Sequence, residues 1–166
     1  MGERQSFWTL AALGLAALLV CPAGAQAATD IGFRAGGYSG DSDGAFIGIE
    51  LLTHLSGGWY LNPNLDYVFA DRGSLTALSV DVHYDFRTHA PHYFWLGGGP
   101  SILYRQFDRT ELERRIGVSG SQSDFGVNLL AGLGWGKGQA FRPYVQGKVV
   151  LSNQSEASIA VGLRIH

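Results

Sequence analysis

The sequence predicts an all-β fold, an eight-stranded antiparallel up-and-down transmembrane β-barrel, and three observations carry that prediction. After Ala28 the chain repeats segments of about ten residues that alternate in polarity, the pattern of strands crossing a membrane. Gly-, Asp-, Asn- and Ser-rich turns separate the segments. One face of the segments is almost free of charge, whereas the other collects most of the ionisable side chains.

Successive side chains of a strand point to opposite faces, so each segment is read as two interleaved rows. The first sets Ile31, Phe33 and Ala35 against Asp30, Arg34 and Tyr38. In the second, Ala45 to Leu55, Ile47, Ile49 and Leu51 oppose Gly48, Glu50 and His54. The third sets Trp59, Leu61, Pro63, Leu65, Tyr67 and Phe69 against Tyr60, Asn62, Asn64 and Asp66. The fourth is the clearest: Thr76, Leu78, Val80, Val82, Tyr84 and Phe86 on one face, and Ala77, Ser79, Asp81, His83, Asp85 and Arg87 on the other. In the fifth, Tyr93 to Gln106, the run Leu96-Gly97-Gly98-Gly99-Pro100 blurs the phase, although Ser101 and Arg105 mark a polar face. The sixth opposes Phe125, Val127, Leu129, Ala131, Leu133 and Trp135 to Asp124, Gly126, Asn128, Gly132 and Gly134. Val145, Gly147, Val149 and Leu151 face away from Tyr144, Gln146 and Lys148 in the seventh. The eighth pairs Ile159, Val161, Leu163 and Ile165 with Ser158, Gly162 and Arg164. An even strand number is what a bacterial single-chain barrel requires.

Short connections fit hairpins at Gly40 to Gly44, Ser56 to Gly58, Asp71 to Ser74, Gly136 to Gln139 and Asn153 to Ser155. The exception is the polar stretch Asp108 to Gln122, expected to be a long external loop carrying Arg109, Glu111, Glu113, Arg114 and Arg115. Prolines oppose this simple drawing. A closed barrel has no edge strand to absorb a missing donor, so Pro63 and Pro100 are expected at bulges or strand ends, and Pro143 near a strand start.

The first residues read differently. Arg4, the apolar run from Phe7 to Val20 and the small-residue site Ala25-Gln26-Ala27 form a signal-peptide pattern over 1–27, cut between Ala27 and Ala28 to leave 28–166 as the barrel domain. Cys21 is preceded by Val20 rather than the small residue that a lipid-attachment signal wants. Cleavage after Ala27 removes that lone cysteine and with it any thiol chemistry. A net charge of -2 excludes the basic face of a nucleic-acid binder.

Alternation alone does not say which face is inside. In a soluble ligand-binding barrel the apolar row would line a cavity; in a membrane barrel it faces lipid. Only 16% of the residues are charged, low for a chain whose outer surface is wet. Aromatics gather near both ends of the apolar row: Trp59, Tyr84, Phe86, Phe94 and Trp135 at one, Tyr67, Phe69, Tyr104 and Phe125 at the other. Two interfacial girdles want that placement. The reading is therefore an inward network of Arg34, Glu50, Asp66, Asp81, His83, Asp85, Arg105, Asp124, Lys148 and Arg164. Eight strands leave a lumen just wide enough for side chains, so these ions fill it as pairs.

The alternating segments, the glycine-rich Leu96-Gly97-Gly98-Gly99 and Leu130-Ala131-Gly132-Leu133-Gly134-Trp135, and the closing Val161-Gly162-Leu163-Arg164-Ile165 resemble the small outer-membrane β-barrel superfamily, which includes the OmpA-type barrel, OmpX-like and opacity-type proteins. The resemblance implies a monomer in the bacterial outer membrane, reached by export and placed by the outer-membrane assembly machinery. It implies contact with membrane lipid and lipopolysaccharide, a structural or surface-interaction role in the envelope, and no cofactor. Such barrels usually end in an aromatic residue; here Ile165 and His166 close the chain. Related barrels that hydrolyse or transfer acyl groups of lipid A use a Ser and a His on the outer face or rim. The candidates here are Ser79, Asp81, His83 and Asp85, but they belong to the inward row, where lipid does not reach, so no catalytic site is expected and the enzyme is the alternative reading. The deacylase type places a His directly beside Ser-Asn near the last strands, and this chain has Leu151-Ser152-Asn153 without it.

Overall fold

The computed structural model describes residues 29–70, 73–86, 91–107 and 121–166. The leader with Cys21 and the Ala27–Ala28 site, Arg72, Arg87, His89, and the loop residues Arg109, Glu111, Glu113, Arg114 and Arg115 lie outside the described residues.

Eight strands run in chain order: β1 (Thr29–Gly40), β2 (Gly44–Ser56), β3 (Trp59–Ala70), β4 (Gly73–Phe86), β5 (His92–Phe107), β6 (Ser121–Trp135), β7 (Phe141–Leu151) and β8 (Glu156–Ile165). Each pairs antiparallel with the next, and β8 returns to β1, so the sheet is a closed barrel. Closure gives every strand two hydrogen-bonded neighbours and removes the exposed edge that an open sheet must protect. We call the end where β1 begins and β8 finishes the near end, and the opposite one the far end.

The alternation read from the sequence becomes the inside and outside of this cylinder. Ile31, Phe33, Ile47, Phe69, Leu129, Ile159 and Val161 point outward and are exposed, Ile159 by 69%. Arg34, Glu50, Asp66, Asp81 and Arg164 point inward and are buried. In β5 the glycine run does not break the phase. Tyr93, Trp95, Ser101, Leu103 and Arg105 all lie inward on one continuous row.

Pro143 lies near the start of β7 as expected, but Pro63 and Pro100 need neither bulges nor strand ends, contrary to the sequence expectation. Pro63 pairs with Val80 of β4. On its other side the ladder to β2 lapses after Glu50↔Asn64 and resumes at Thr53↔Leu61 in the same register. Pro100 likewise pairs with Val127 of β6, while the ladder to β4 skips from Ser79↔Ser101 to Val82↔Gly98 without shifting. Each ring costs the ladder on one side only, and the neighbouring rungs hold the register. The irregularity in β2 lies elsewhere, between His54 and Ser56, beside the turn that Gly57 makes at φ 58°.

Aromatics mark both rims of the outer surface. Near the near end Trp59, Tyr84, Phe86 and Phe94 form a continuous ladder with ring centroids 5.2, 5.1 and 4.5 Å apart. Trp135 and Phe141 are exposed at the same end. Towards the far end Tyr67 and Phe69 meet edge to face at 5.0 Å, and Phe107 and Phe125 are exposed.

Space inside is shared by pairing large with small across strands. Tyr93 stands opposite Gly134, Trp95 opposite Gly132 and Tyr144 opposite Gly162. A Cβ on Gly132 would lie 2.1 Å from Trp95 Cζ2, and one on Gly162 would lie 2.3 Å from Tyr144 Cζ. The same device seats two carboxylates, Glu50 over Gly32 and Asp66 over Gly48. Bulky inward side chains thus lie flat over a neighbouring backbone, which close packing in a narrow lumen demands.

Gly132→Val should therefore abolish the compact folded band in a heat-modifiability gel. Gly147→Ala, where an added Cβ meets nothing nearer than Ser158 O at 4.0 Å, should leave that band intact.

Candidate functional site

The lumen holds the chain's buried chemistry, and its contents change along the axis. At its centre Arg34 of β1 reaches β3 with a two-pronged contact, Nε to Asp66 Oδ1 and Nη2 to Asp66 Oδ2, both at 2.8 Å. The same guanidinium donates to Asn64 Oδ1 at 2.6 Å and to Glu50 Oε2 at 3.4 Å. Lys148 of β7 adds a bond to Asp66 Oδ2 at 3.0 Å, and Tyr38 donates to that oxygen at 3.0 Å as well. Glu50 accepts from Arg164 Nε at 2.7 Å and from Asn62 at 3.0 Å. Asp81 is held differently, by the carboxamides of Asn64 and Asn128 at 2.8 Å each. Arg34, Lys148 and Arg164 thus pair with Glu50 and Asp66, while Asp81 is satisfied by amides, so three cations and three carboxylates are buried together. Equal numbers and short bonds are what an ionic interior needs, since an unpaired buried ion costs several kcal/mol.

Towards the far end this network is roofed by a cluster of Tyr38, Phe46, Val68, Leu75, Ala77, Leu103, Val150 and Ala160. Beyond the roof Arg105 binds Asp124 at 2.6 Å and Glu156 at 2.9 Å, and also reaches Ser42 and the Gln154 carbonyl. Towards the near end Arg164 lies over the rings of Trp95 and Tyr144, 4.5 Å from each centroid. A weakly hydrated guanidinium suits such a seat, where ring faces supply the attraction that water would. At the rim Asp30 receives Arg142 and lies 2.6 Å from His166 Nδ1.

The ten ionisable residues expected inward, Arg34, Glu50, Asp66, Asp81, His83, Asp85, Arg105, Asp124, Lys148 and Arg164, are all buried in the lumen. Asp81, His83 and Asp85 share one strand face with Ser79, but the structure does not assemble an activated serine. Ser79 and His83 stand four residues apart on one strand, about 13 Å at the usual rise. Ser79 Oγ instead bonds Ser101 Oγ at 3.1 Å. His83 is stacked between Tyr60 and Trp95, with Nε2 3.5 Å from Asp85 Oδ1. Among the described residues no group of His, Cys, Asp and Glu is arranged to hold a metal ion.

Several participants were not marked by sequence reasoning. Glu156 and Arg142 sit at strand starts, where alternation is short. Tyr93 and Trp95 carry no polarity that would assign them a face. Their signal was the glycines Gly134 and Gly132 on the next strand.

No family model and no curated protein sequence matches the chain. Solved structures do. The N-terminal β-barrel domain of OprF from Pseudomonas aeruginosa superposes with a TM-score of 0.58 at 19% identity, covering 84% of this chain and 100% of that one. Neisserial surface protein A gives 0.61 at 16% identity, with 82% and 94% covered. The chain has the fold of the small outer-membrane β-barrels. Ail of Yersinia pestis, solved with the heparin analogue sucrose octasulfate, is a further example of that fold at a TM-score of 0.59 and 15% identity, with 82% and 95% covered.

Removing one partner from the central network leaves a buried opposite charge, so Arg34→Met should lower stability by about 3–5 kcal/mol in urea unfolding from detergent micelles. The cost should shrink in the Arg34→Met, Asp66→Asn double variant, because the orphaned carboxylate is gone.

Proposed function

We propose that this chain is a monomeric outer-membrane barrel with a structural or surface-interaction role in the cell envelope. The observation that carries the reading is the sidedness of the barrel. Its outer wall is a continuous apolar band between aromatic rims, while its ions are inside. Water would leave that band exposed across the whole circumference, whereas hydrocarbon covers it and aromatic rims suit the two interfaces. A soluble ligand-binding barrel would need the opposite arrangement. That no helix among the described residues is long and apolar enough to cross a membrane has no bearing on a barrel, which crosses with strands.

Residues 1–27 act in this reading as the export signal, with cleavage between Ala27 and Ala28. Insertion falls to the outer-membrane assembly machinery, and the contacts that follow are membrane lipid and lipopolysaccharide. Arg109, Glu111, Glu113, Arg114 and Arg115 then form the external loop available to other surface molecules. The apolar roof and the ion pairs on both sides of it support a closed lumen rather than an open pore. The buried Ser79 and the ring-stacked His83 favour a non-enzymatic role over lipid A hydrolysis.

Membrane fractionation tests the location. The protein should sediment with the outer membrane, need detergent for extraction, and migrate faster unheated than boiled. Release by osmotic shock in soluble form would refute the reading. Lipid A mass spectra should be identical with and without the gene, and a change that His83→Ala cancels would instead establish the enzymatic alternative.

A further inference from the structure

The central network and the far-end clamp satisfy most of their polar atoms, but the near-end mouth does not. His83 is 1% exposed, and neither ring nitrogen has a hydrogen-bond partner. Asp85 Oδ1 is buried and unpartnered too, although it lies only 3.5 Å from His83 Nε2. The other oxygen of Asp85, Oδ2, is 3.8 Å from Nζ of Lys137, in the connection between β6 and β7. Lys137 is the outermost member of the set and also sits over the Tyr93 ring at 5.4 Å.

From these contacts we propose that His83 and Asp85 form a proton-operated clamp, in which uptake of one proton by His83 draws Asp85 away from Lys137 and frees that side chain, while the Gly136 and Lys137 amides stay on the Pro91 carbonyl. Three observations lead there. The imidazole and the carboxylate oxygen need only a few tenths of an ångström to form a charge-assisted hydrogen bond. The ring is held between Tyr60 at 5.6 Å and Trp95 at 5.8 Å, and aromatic faces attract a cation in that position. Asp85 offers Oδ1 to a ring inside the barrel and Oδ2 to an ammonium at its rim, so turning the carboxylate toward His83 lengthens the already long 3.8 Å contact to Lys137.

The surroundings leave Asp85 as the group that responds. On β3 the facing residue is Tyr60, whose ring takes no charge at neutral pH. On β4 itself Asp81 is already occupied by Asn64 and Asn128. On β5 Trp95 packs beside the ring and Tyr93 stacks on Trp95, while Arg164 of β8 lies over Trp95 with Nε on Glu50 and both Nη atoms without a hydrogen-bond partner among the described residues. Arg142 of β7, Asp30 of β1 and His166 after β8 form their own cluster at the rim. The step moves one proton and makes or breaks no covalent bond other than N–H.

The test uses the chain folded in detergent micelles, with Trp8, Trp59 and Trp135 replaced by Phe so that emission reports Trp95 alone. Lowering the pH from 8 to 5 should change Trp95 emission in one reversible single-proton step, and the amide resonances of residues 136–140 should shift with the same midpoint. His83→Phe keeps the ring stack and should abolish both responses. Asp85→Asn should keep the emission change and lose the shift of the connection. Ring-proton NMR of His83 in the unsubstituted chain gives the midpoint directly if His83→Phe does not fold. The clamp is refuted if residues 136–140 fail to follow the His83 midpoint, or if Asp85→Asn leaves their response intact. These readouts depend on the barrel fold and not on its cellular location.

Discussion

Arg34 sets the terms for the rest of the lumen. Its guanidinium lies in a space that eight strands make just wide enough for side chains, and it bridges β1, β2 and β3 through Glu50, Asn64 and Asp66. An ion so placed is tolerable only if every neighbour answers it. Asp66 therefore takes two of its N–H groups together with Lys148 and Tyr38, and Glu50 divides its oxygens between Arg34, Asn62 and Arg164. Electroneutrality within a fixed cross-section turns separate strands into one constrained set, because no single charge can change without stranding another. The outer wall carries no such condition. Between its aromatic rims it needs only apolar side chains, and Ile, Val, Leu and Phe are interspersed there.

A second constraint is volume. Charged and aromatic side chains fit the interior because a glycine stands opposite many of them, as with Trp95 and Gly132 or Asp66 and Gly48. This explains where many of the chain's 24 glycines go. In the strands they serve less as flexible points than as floor on which a neighbour lies. Turns use the other property of glycine, and Gly57, Gly136 and Gly138 adopt positive φ there.

Much of this was legible in the sequence, for a definite reason. Alternation maps onto sides of a strand, so the spacing Asp81-x-His83-x-Asp85 by itself places the three on one face. The readings failed where the signal was one of shape rather than polarity. Trp95 could not be assigned a face because an aromatic ring suits either side, and only its register with Gly132 decides. Pro63 and Pro100 depart from expectation because a missing donor affects one ladder and leaves the other to hold register. Against serine chemistry, the runner-up reading, the structure adds distance. Ser79 and His83 share a face, but an extended strand holds them too far apart for one to activate the other.

The seam between β1 and β8 shows how the two constraints combine. These strands join residues far apart in sequence, so their pairing closes the longest loop of the barrel, at a closure entropy that grows only slowly with length. Facing alone cannot specify it. A shift of one residue would turn the apolar row inward and is excluded, but a shift of two keeps every side chain on its proper side. Charge removes that remaining freedom. At the far end Glu156 must accept from the Ser42 amide, 114 residues away, while holding Arg105. At the near end Asp30 must meet both Arg142 and His166, the latter 136 residues away. A two-residue slip moves Asp30 and Glu156 by almost 7 Å relative to these partners, which breaks both ends at once. Polarity thus selects the faces and the buried ions select the register, so the network that fills the lumen also closes the barrel.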